Sequence, residues 1–153
     1  MTDSDAGETL TVSRTVPAPR PRVFKAWTTP SELKKWWSVG QGWKTPSAKI
    51  DLRVGGRFEI ANEPEGGGAV MITGEYLVVE RPSKLSYTWV FPGEKTEESV
   101  VTVEFRDLGK RTEVVVTHSK ASKGMLLQAI EGWDNALTGL EVYFGQMAVA
   151  ANS

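Results

Sequence analysis

A chain of 153 residues, 40% hydrophobic and 24% charged, is long enough for one domain with a sizeable core. A net charge of −1 excludes a general basic field for nucleic acid or an anionic membrane. The absence of cysteine excludes disulfides, thiolate metal sites and a cysteine nucleophile.

Met1 to Glu8 is polar and acidic, with no apolar signal-peptide core, so residues 1–8 are expected to be a frayed tail. No apolar run approaches the roughly twenty residues of a membrane span, and a cytoplasmic location is the default expectation. Leu10, Val12 and Val16 then alternate with threonines and Ser13, which predicts a half-buried strand. Arg14 falls on its apolar face. It is either a snorkelling or ion-paired edge residue or a cation facing a cavity. Pro17, Pro19 and Pro21 stop the strand and open a short helix over about Arg20 to Thr28, with Val23, Phe24 and Trp27 on its apolar side. A second short helix starts at Pro30, with Glu32 near its positive end, and finishes at Trp36-Trp37. Adjacent helical residues point about 100° apart. One of these rings is therefore expected in the core and the other at a groove or cavity mouth, with ordinary packing of both as the alternative.

Residues 39–47 read as a loop in which Trp43 is either a lid or a plug. Ala48 to Val54 alternates as a strand, Gly55-Gly56 reads as a tight turn, and Arg57 to Asn62 returns with Phe58 and Ile60 inward. That glycine pair joins strand to strand and has no helix behind it to hold phosphate. Ala69 to Glu80 predicts a longer strand with a bend or bulge at Gly74. Leu85, Tyr87, Trp89 and Phe91 mark the next strand face, followed by a charged turn over Pro92 to Glu97. Val101, Val103 and Phe105 mark another strand, and Glu113 to His118 the last. Short connections make these an antiparallel meander.

Ser122 to Val149 predicts one long helix, with Leu126, Ile130, Trp133, Leu137, Leu140, Phe144 and Met147 on its apolar stripe and Gln128, Glu131, Asn135, Thr138 and Gln146 opposite. Its partner is expected to be one curved sheet. Gly132, Gly139 and Gly145 each cost about 1 kcal/mol against alanine inside a helix. Gly132, Ala136 and Gly139 share a side suited to close packing. Aromatic groups from sheet and helix either interdigitate or line a ligand-sized hollow, and the hollow is the reading preferred here.

Chemistry is sparse. The one histidine, His118, shares the inward alternation of Val114 and Val116, and a lone histidine is more often structural than catalytic. One histidine and no cysteine make a metal site improbable, and no cofactor is expected. Alternation puts Glu104 and Glu131 on solvent faces. Lys34, Lys35 and Lys123 are too scattered for a nucleic-acid stripe.

Several stretches carry a resemblance. Arg14-Thr-Val-Pro-Ala-Pro, Val23-Phe24-Lys-Ala-Trp27-Thr, Leu33-Lys-Lys-Trp36-Trp37 and Asp51-Leu-Arg-Val-Gly-Gly-Arg-Phe58 resemble the bacterial homologues of the activator of heat-shock-protein-90 ATPase. Gly74-Glu-Tyr76, Leu85-Ser-Tyr-Thr-Trp89 and Gly132-Trp133 with Leu137 and Leu140 fit the same pattern. The resemblance runs from about residue 9 to 148. It implies the START-like, birch-allergen-like (SRPBCC) superfamily and an α+β helix-grip fold over residues 9–149. In that fold a seven-stranded antiparallel sheet wraps a C-terminal helix, with two short helices after the first strand. Superfamily members bind lipids, sterols, polyketides or hormones, and some are cyclases or hydrolases. Eukaryotic relatives stimulate a chaperone's ATPase and carry an additional N-terminal domain that this sequence does not show, so chaperone activation is not expected.

The leading expectation is a binding module holding a small hydrophobic molecule between sheet and helix. Its contacts are Trp36, Phe58, Tyr87, Trp89, Trp133 and Leu137, with Arg14 or His118 orienting the polar end. The alternatives are a cyclase, dehydratase or hydrolase in the same cavity, and a stress-response module that meets a chaperone or a second copy through exposed Trp37 or Trp43.

Overall fold

The computed structural model describes residues 8–40, 42–91, 97–121 and 123–152. Of the expected tail over residues 1–8 and turn over Pro92 to Glu97, residues 1–7 and 92–96 lie outside them, whereas Glu8 and Glu97 begin strands. The side chains of Phe91, Lys123, Leu126 and Gln128 also lie outside them. The elements run β1 (Glu8–Val16), α1 (Arg20–Thr28), α2 (Pro30–Trp36), β2 (Ala48–Ile50), β3 (Arg57–Asn62), β4 (Val70–Glu80), β5 (Lys84–Phe91), β6 (Glu97–Asp107), β7 (Thr112–Ala121) and α3 (Lys123–Asn152). The strands form one antiparallel sheet in the order β1-β7-β6-β5-β4-β3-β2. Among the described residues, no helix is long and apolar enough to cross a membrane.

Proline punctuation builds the helical pair. Pro21 sits in the first turn of α1 and Pro30 in that of α2, where a missing N–H costs nothing. α1 buries Val23, Phe24, Ala26 and Trp27, and α2 buries Leu33 and Trp36. Both rings of Trp36-Trp37 are in the core, at 3% and 4% exposure, rather than one at a cavity mouth. The helical angle does not apply because Trp37 has already left the helix. It is the C-cap, with φ −70° and ψ 127°, and its N–H donates to the Leu33 carbonyl.

Two strand predictions are trimmed. β2 pairs with β3 only from Ala48 to Ile50. Beyond it the glycine pair binds a different strand: the Gly55 N–H donates to the Tyr76 carbonyl and the Tyr76 N–H to the Gly56 carbonyl. The Asp51 N–H still donates to the Arg57 carbonyl, but the chain beyond it turns away from β3 and Val54 is exposed instead of inward. In β4, a Cβ at Gly74 would overlap the Thr88 carbonyl and the Phe58 ring, so the backbone there passes too close to its neighbours for a side chain. The β4–β5 register shifts just beyond, between Tyr76 and Val78.

The rod α3 is buried along a shorter stretch than its apolar stripe suggests. Trp133, Ala136, Leu137, Leu140 and Phe144 are in the core, while Ile130 and Met147 are exposed. At 1.5 Å per residue, a 30-residue helix outruns the sheet and short helices that cover it. Its glycines divide by environment. A Cβ on Gly139 would overlap the Trp36 carbonyl, marking the close approach of α2 to α3, whereas Gly132 and Gly145 face open space. Gly132→Ala and Gly145→Ala are each expected to stabilise the fold by about 0.5–1 kcal/mol through helix propensity. Gly139→Ala is expected to lose about 1–3 kcal/mol by overpacking, despite the same propensity gain. Urea midpoints of the three variants check this; a stabilising Gly139→Ala would remove the close approach.

Candidate functional site

Sheet alternation and the α3 stripe bring one group of residues together at the centre of the molecule. Val101 of β6 lies opposite His118 of β7, and Ser99 of β6 lies opposite Trp89 of β5. Trp133, the first buried side chain among the described residues of α3, drops into this corner. Its ring contacts Trp89 at 5.1 Å between centroids, Trp37 at 5.5 Å, and Trp27 and His118 at 6.3 Å. Offset and edge-on ring pairs at such distances add about 0.5–1.5 kcal/mol each beyond area burial. Trp133 is thus a hub joining α1, the end of α2, β5 and β7.

A polar chain threads this apolar corner. The Trp133 Nε1–H donates to His118 Nδ1 at 3.0 Å, and His118 Nε2 lies 2.6 Å from Ser99 Oγ. An indole nitrogen only donates. His118 Nδ1 must therefore accept, the neutral ring carries its proton on Nε2, and Nε2–H donates to Ser99 Oγ. The serine hydroxyl also reaches the Trp89 carbonyl at 3.4 Å. His118 is fully buried, and burial pushes its pKa down to about 4.

Ser99 and His118 are within reach of each other as a nucleophile and base must be, but their polarity is reversed. With Nε2 already protonated, the imidazole cannot take the serine's proton while the indole bond stands. In this arrangement the trio works as a bridge between sheet and helix.

The remaining expected contacts divide between this corner and two other places. Arg14 faces inward from β1, but its guanidinium is bound to α3, donating to Asp134 Oδ1 (2.6 Å), Thr138 Oγ1 (2.9 Å) and Glu141 Oε1 (3.1 Å). It clamps the helix to the edge strand instead of facing a hollow. Leu137 is fully buried core. Trp36 donates its Nε1–H to the Ala26 carbonyl at 3.0 Å and packs on Trp27, turned toward α1. Phe58 and Tyr87 lie 5.0 Å apart and, with Trp27, Leu33, Trp37, Ile50, Ile60 and Tyr76, line a void of about 10 Å³. That is room for about one water. It lies under α1 and α2 rather than under α3. The expected ligand-sized hollow is, among the described residues of the centre, occupied by touching rings. Burial pushes the Tyr76 and Tyr87 phenols up, so both are neutral donors near pH 7.

Three other residues at the centre escaped the sequence reading. Ser99 is on the inward parity of Val101, Val103 and Phe105, and Asn62 on that of Phe58 and Ile60, so extending the alternation by one step finds both. Asn62 Oδ1 accepts the Trp37 Nε1–H at 2.9 Å, and its amide donates to the Ile60 carbonyl at 3.0 Å. Trp27, read only as a helix face, packs directly on Trp133. Trp43 is half-buried, its ring lying over Gly40 of its own loop. Away from the centre, Arg22 Nη2 meets Glu32 Oε1 at 2.7 Å, and Tyr143 OH donates to the same oxygen at 2.9 Å. Burial alone would raise the Glu32 carboxyl, but these two donors outweigh it and hold it low. The cluster ties α1, α2 and the far half of α3 together. Among the described residues no group of three histidine or carboxylate side chains is placed to hold a metal.

Comparison with known proteins places this arrangement. The family described as Activator of Hsp90 ATPase homolog 1-like protein matches residues 17–145. No curated protein matches. The crystal structure of CV1439 from Chromobacterium violaceum superposes with a TM-score of 0.80 at 22% identity, covering 89% of this chain and 96% of that one. The solution structure of the AHSA1-like protein from Aeromonas hydrophila gives 0.75 at 24% identity, covering 92% and 94%. CalU16 from Micromonospora echinospora gives 0.70 at 25% identity, covering 94% and 82%.

Proposed function

Because the chain belongs to the Activator of Hsp90 ATPase homolog 1-like family, we propose that it binds a small hydrophobic or amphipathic molecule between the sheet and the first half of α3. The observation that carries this reading is the contrast along α3. From Trp133 onward the helix is anchored by buried side chains and by Arg14. Among the described side chains before it, none is buried, and Leu127 and Ile130 are 64% and 47% exposed. The aromatic corner formed by Trp89, His118 and Trp133 therefore lies at the start of the buried stretch of α3, and of the described side chains before it only the half-buried Ala129 packs against the core.

A void of about 10 Å³ admits no ligand, since small-molecule sites run to about 300–1,000 Å³. In the proposed site the described rings of Trp89, His118 and Trp133 touch. Binding there requires the turns of α3 before Trp133 to lift and the rings to spread, and the cost of opening lowers the apparent affinity. Once the turns lift, Trp89, Trp133 and Leu137 offer apolar contact, and the His118–Ser99 pair offers polar groups for a headgroup. Arg14 is committed to α3 and takes no part. A protein-docking role through Trp37 loses its basis, because that ring is buried with its N–H on Asn62.

Titration with dodecanoate and with 1-anilinonaphthalene-8-sulfonate, followed by tryptophan emission, tests the reading. The expected result is saturable binding at one site, with dodecanoate displacing the dye. Strictly linear, non-saturating responses to both probes would overturn it.

A further inference from the structure

The Trp133–His118–Ser99 bridge stands where the described side chains of α3 change from exposed or half-buried to buried, and it can exist only with a neutral imidazole. An imidazolium carries N–H groups at both ring nitrogens. Its Nδ1–H would then point at the Trp133 Nε1–H across 3.0 Å, two donors facing each other with no acceptor. We propose that His118 is a proton-operated latch: with the imidazole neutral it holds Trp133 and the turns before it down on the sheet, and protonation releases them. This deepens the ligand reading by naming what regulates access to that site, and rests on it for its purpose.

Among the described residues no charge stands nearby to compensate the imidazolium. On β1 the inward charged group is Arg14, bound to Asp134 and Glu141 of α3. On β5 it is the neutral Tyr87 phenol. The inward side chains of β6 at this level are Ser99 and Val101, and Glu113 of β7 points outward to Arg106. Glu131 of α3 is exposed. The depressed pKa of His118 accordingly has burial as its cause and no charged partner.

The expected size follows from linkage. With the latched ring at about 4 and a released imidazole at its ordinary 6.5, lowering the pH from 7.5 to 4.5 raises the opening equilibrium roughly 70-fold. Amide hydrogen exchange of the ligand-free protein at the two pH values, corrected for intrinsic exchange rates, reads this directly. The protection factors of residues 127–132 are expected to lie below those of β6 and β7 and to fall by about that factor, while β6 and β7, which exchange through global unfolding, fall comparably because the unfolded chain takes up the same proton. In His118→Gln, whose side chain can still accept from the indole but does not titrate, the pH dependence is expected to vanish. Equal protection of residues 127–132 at both pH values, protection there no lower than in β6 and β7, or the same fall in His118→Gln would each overturn the latch. If His118→Gln does not fold, the imidazole proton resonances of wild type and Trp133→Phe decide. Removing the indole donor is expected to raise the His118 pKa, and an unchanged pKa contradicts the proposal. Neither readout involves a ligand, so the latch and the binding reading fail separately.

Discussion

Replacing Trp133 with alanine is expected to cost the fold about 3–5 kcal/mol, in the upper range for truncating a buried ring. The side chain is 3% exposed and touches Trp27, Trp37, Trp89 and His118. Its removal opens a hole beside four large rings that are themselves pinned by Asn62, Ser99 and the helical pair, so collapse into the space is limited. It also leaves His118 Nδ1 without its donor. Trp133→Phe keeps most of the ring volume and removes the N–H, and about 1–3 kcal/mol of loss is expected from the unpaired nitrogen. Urea unfolding of the two variants separates packing from hydrogen bonding. A loss under about 1 kcal/mol in Trp133→Ala would mean that the centre is not packed around this residue.

Acid is expected to destabilise the protein by about 3 kcal/mol through His118 alone. The sign follows from which state takes up the proton first. Above pH 6.5 the imidazole is neutral in both states and contributes nothing. As the pH falls below 6.5 the unfolded chain binds the proton while the folded ring resists it until about 4. Stability therefore drops across that window, by about 1.36 kcal/mol for each unit between the two pKa values, and levels off below it. Carboxylates such as Glu32, held low in the fold, add their own acid loss below the usual carboxylate range. The His118 part is isolated by comparing wild type with His118→Gln at pH 7 and pH 4.5. The variant is expected to lose about 2–3 kcal/mol less over that interval, and identical pH profiles would contradict a buried neutral imidazole.

These results bear on how far the chain could be read before its structure. Two-residue alternation located the strands and put Phe58, Tyr87, Trp89 and His118 inward, and proline placement bounded both short helices. What alternation gives is a face, not a partner. It placed Arg14 on the inward side, but not its ion pairs to residues about 120 positions away. It marked His118 inward, but the indole that fixes its tautomer comes from another element. The apolar stripe of α3 overstated burial at Ile130 and Met147 because periodicity does not report how far the covering sheet reaches. Trp37 is the C-cap of α2, so the helical step that would part it from Trp36 does not apply. Whether ring-rich faces enclose a hollow or fill it depends on rotamers and sheet curvature, which composition does not carry. Six tryptophans are compatible with either outcome until their centroids are placed.

Binding as proposed requires the ring-packed interior to open at the start of α3 and admit an apolar ligand. The six indole N–H resonances report on it directly, because the groups have different surroundings: Trp36 bonds the Ala26 carbonyl, Trp37 bonds Asn62, Trp133 bonds His118, and Trp43 is half-buried in its loop. On titration with dodecanoate, the Trp133 and Trp89 signals are expected to shift saturably and together, while Trp36, held on the Ala26 carbonyl, stays in place. All six signals unmoved at the highest soluble dodecanoate concentration would contradict it, and so would a shift confined to Trp43 on its surface loop.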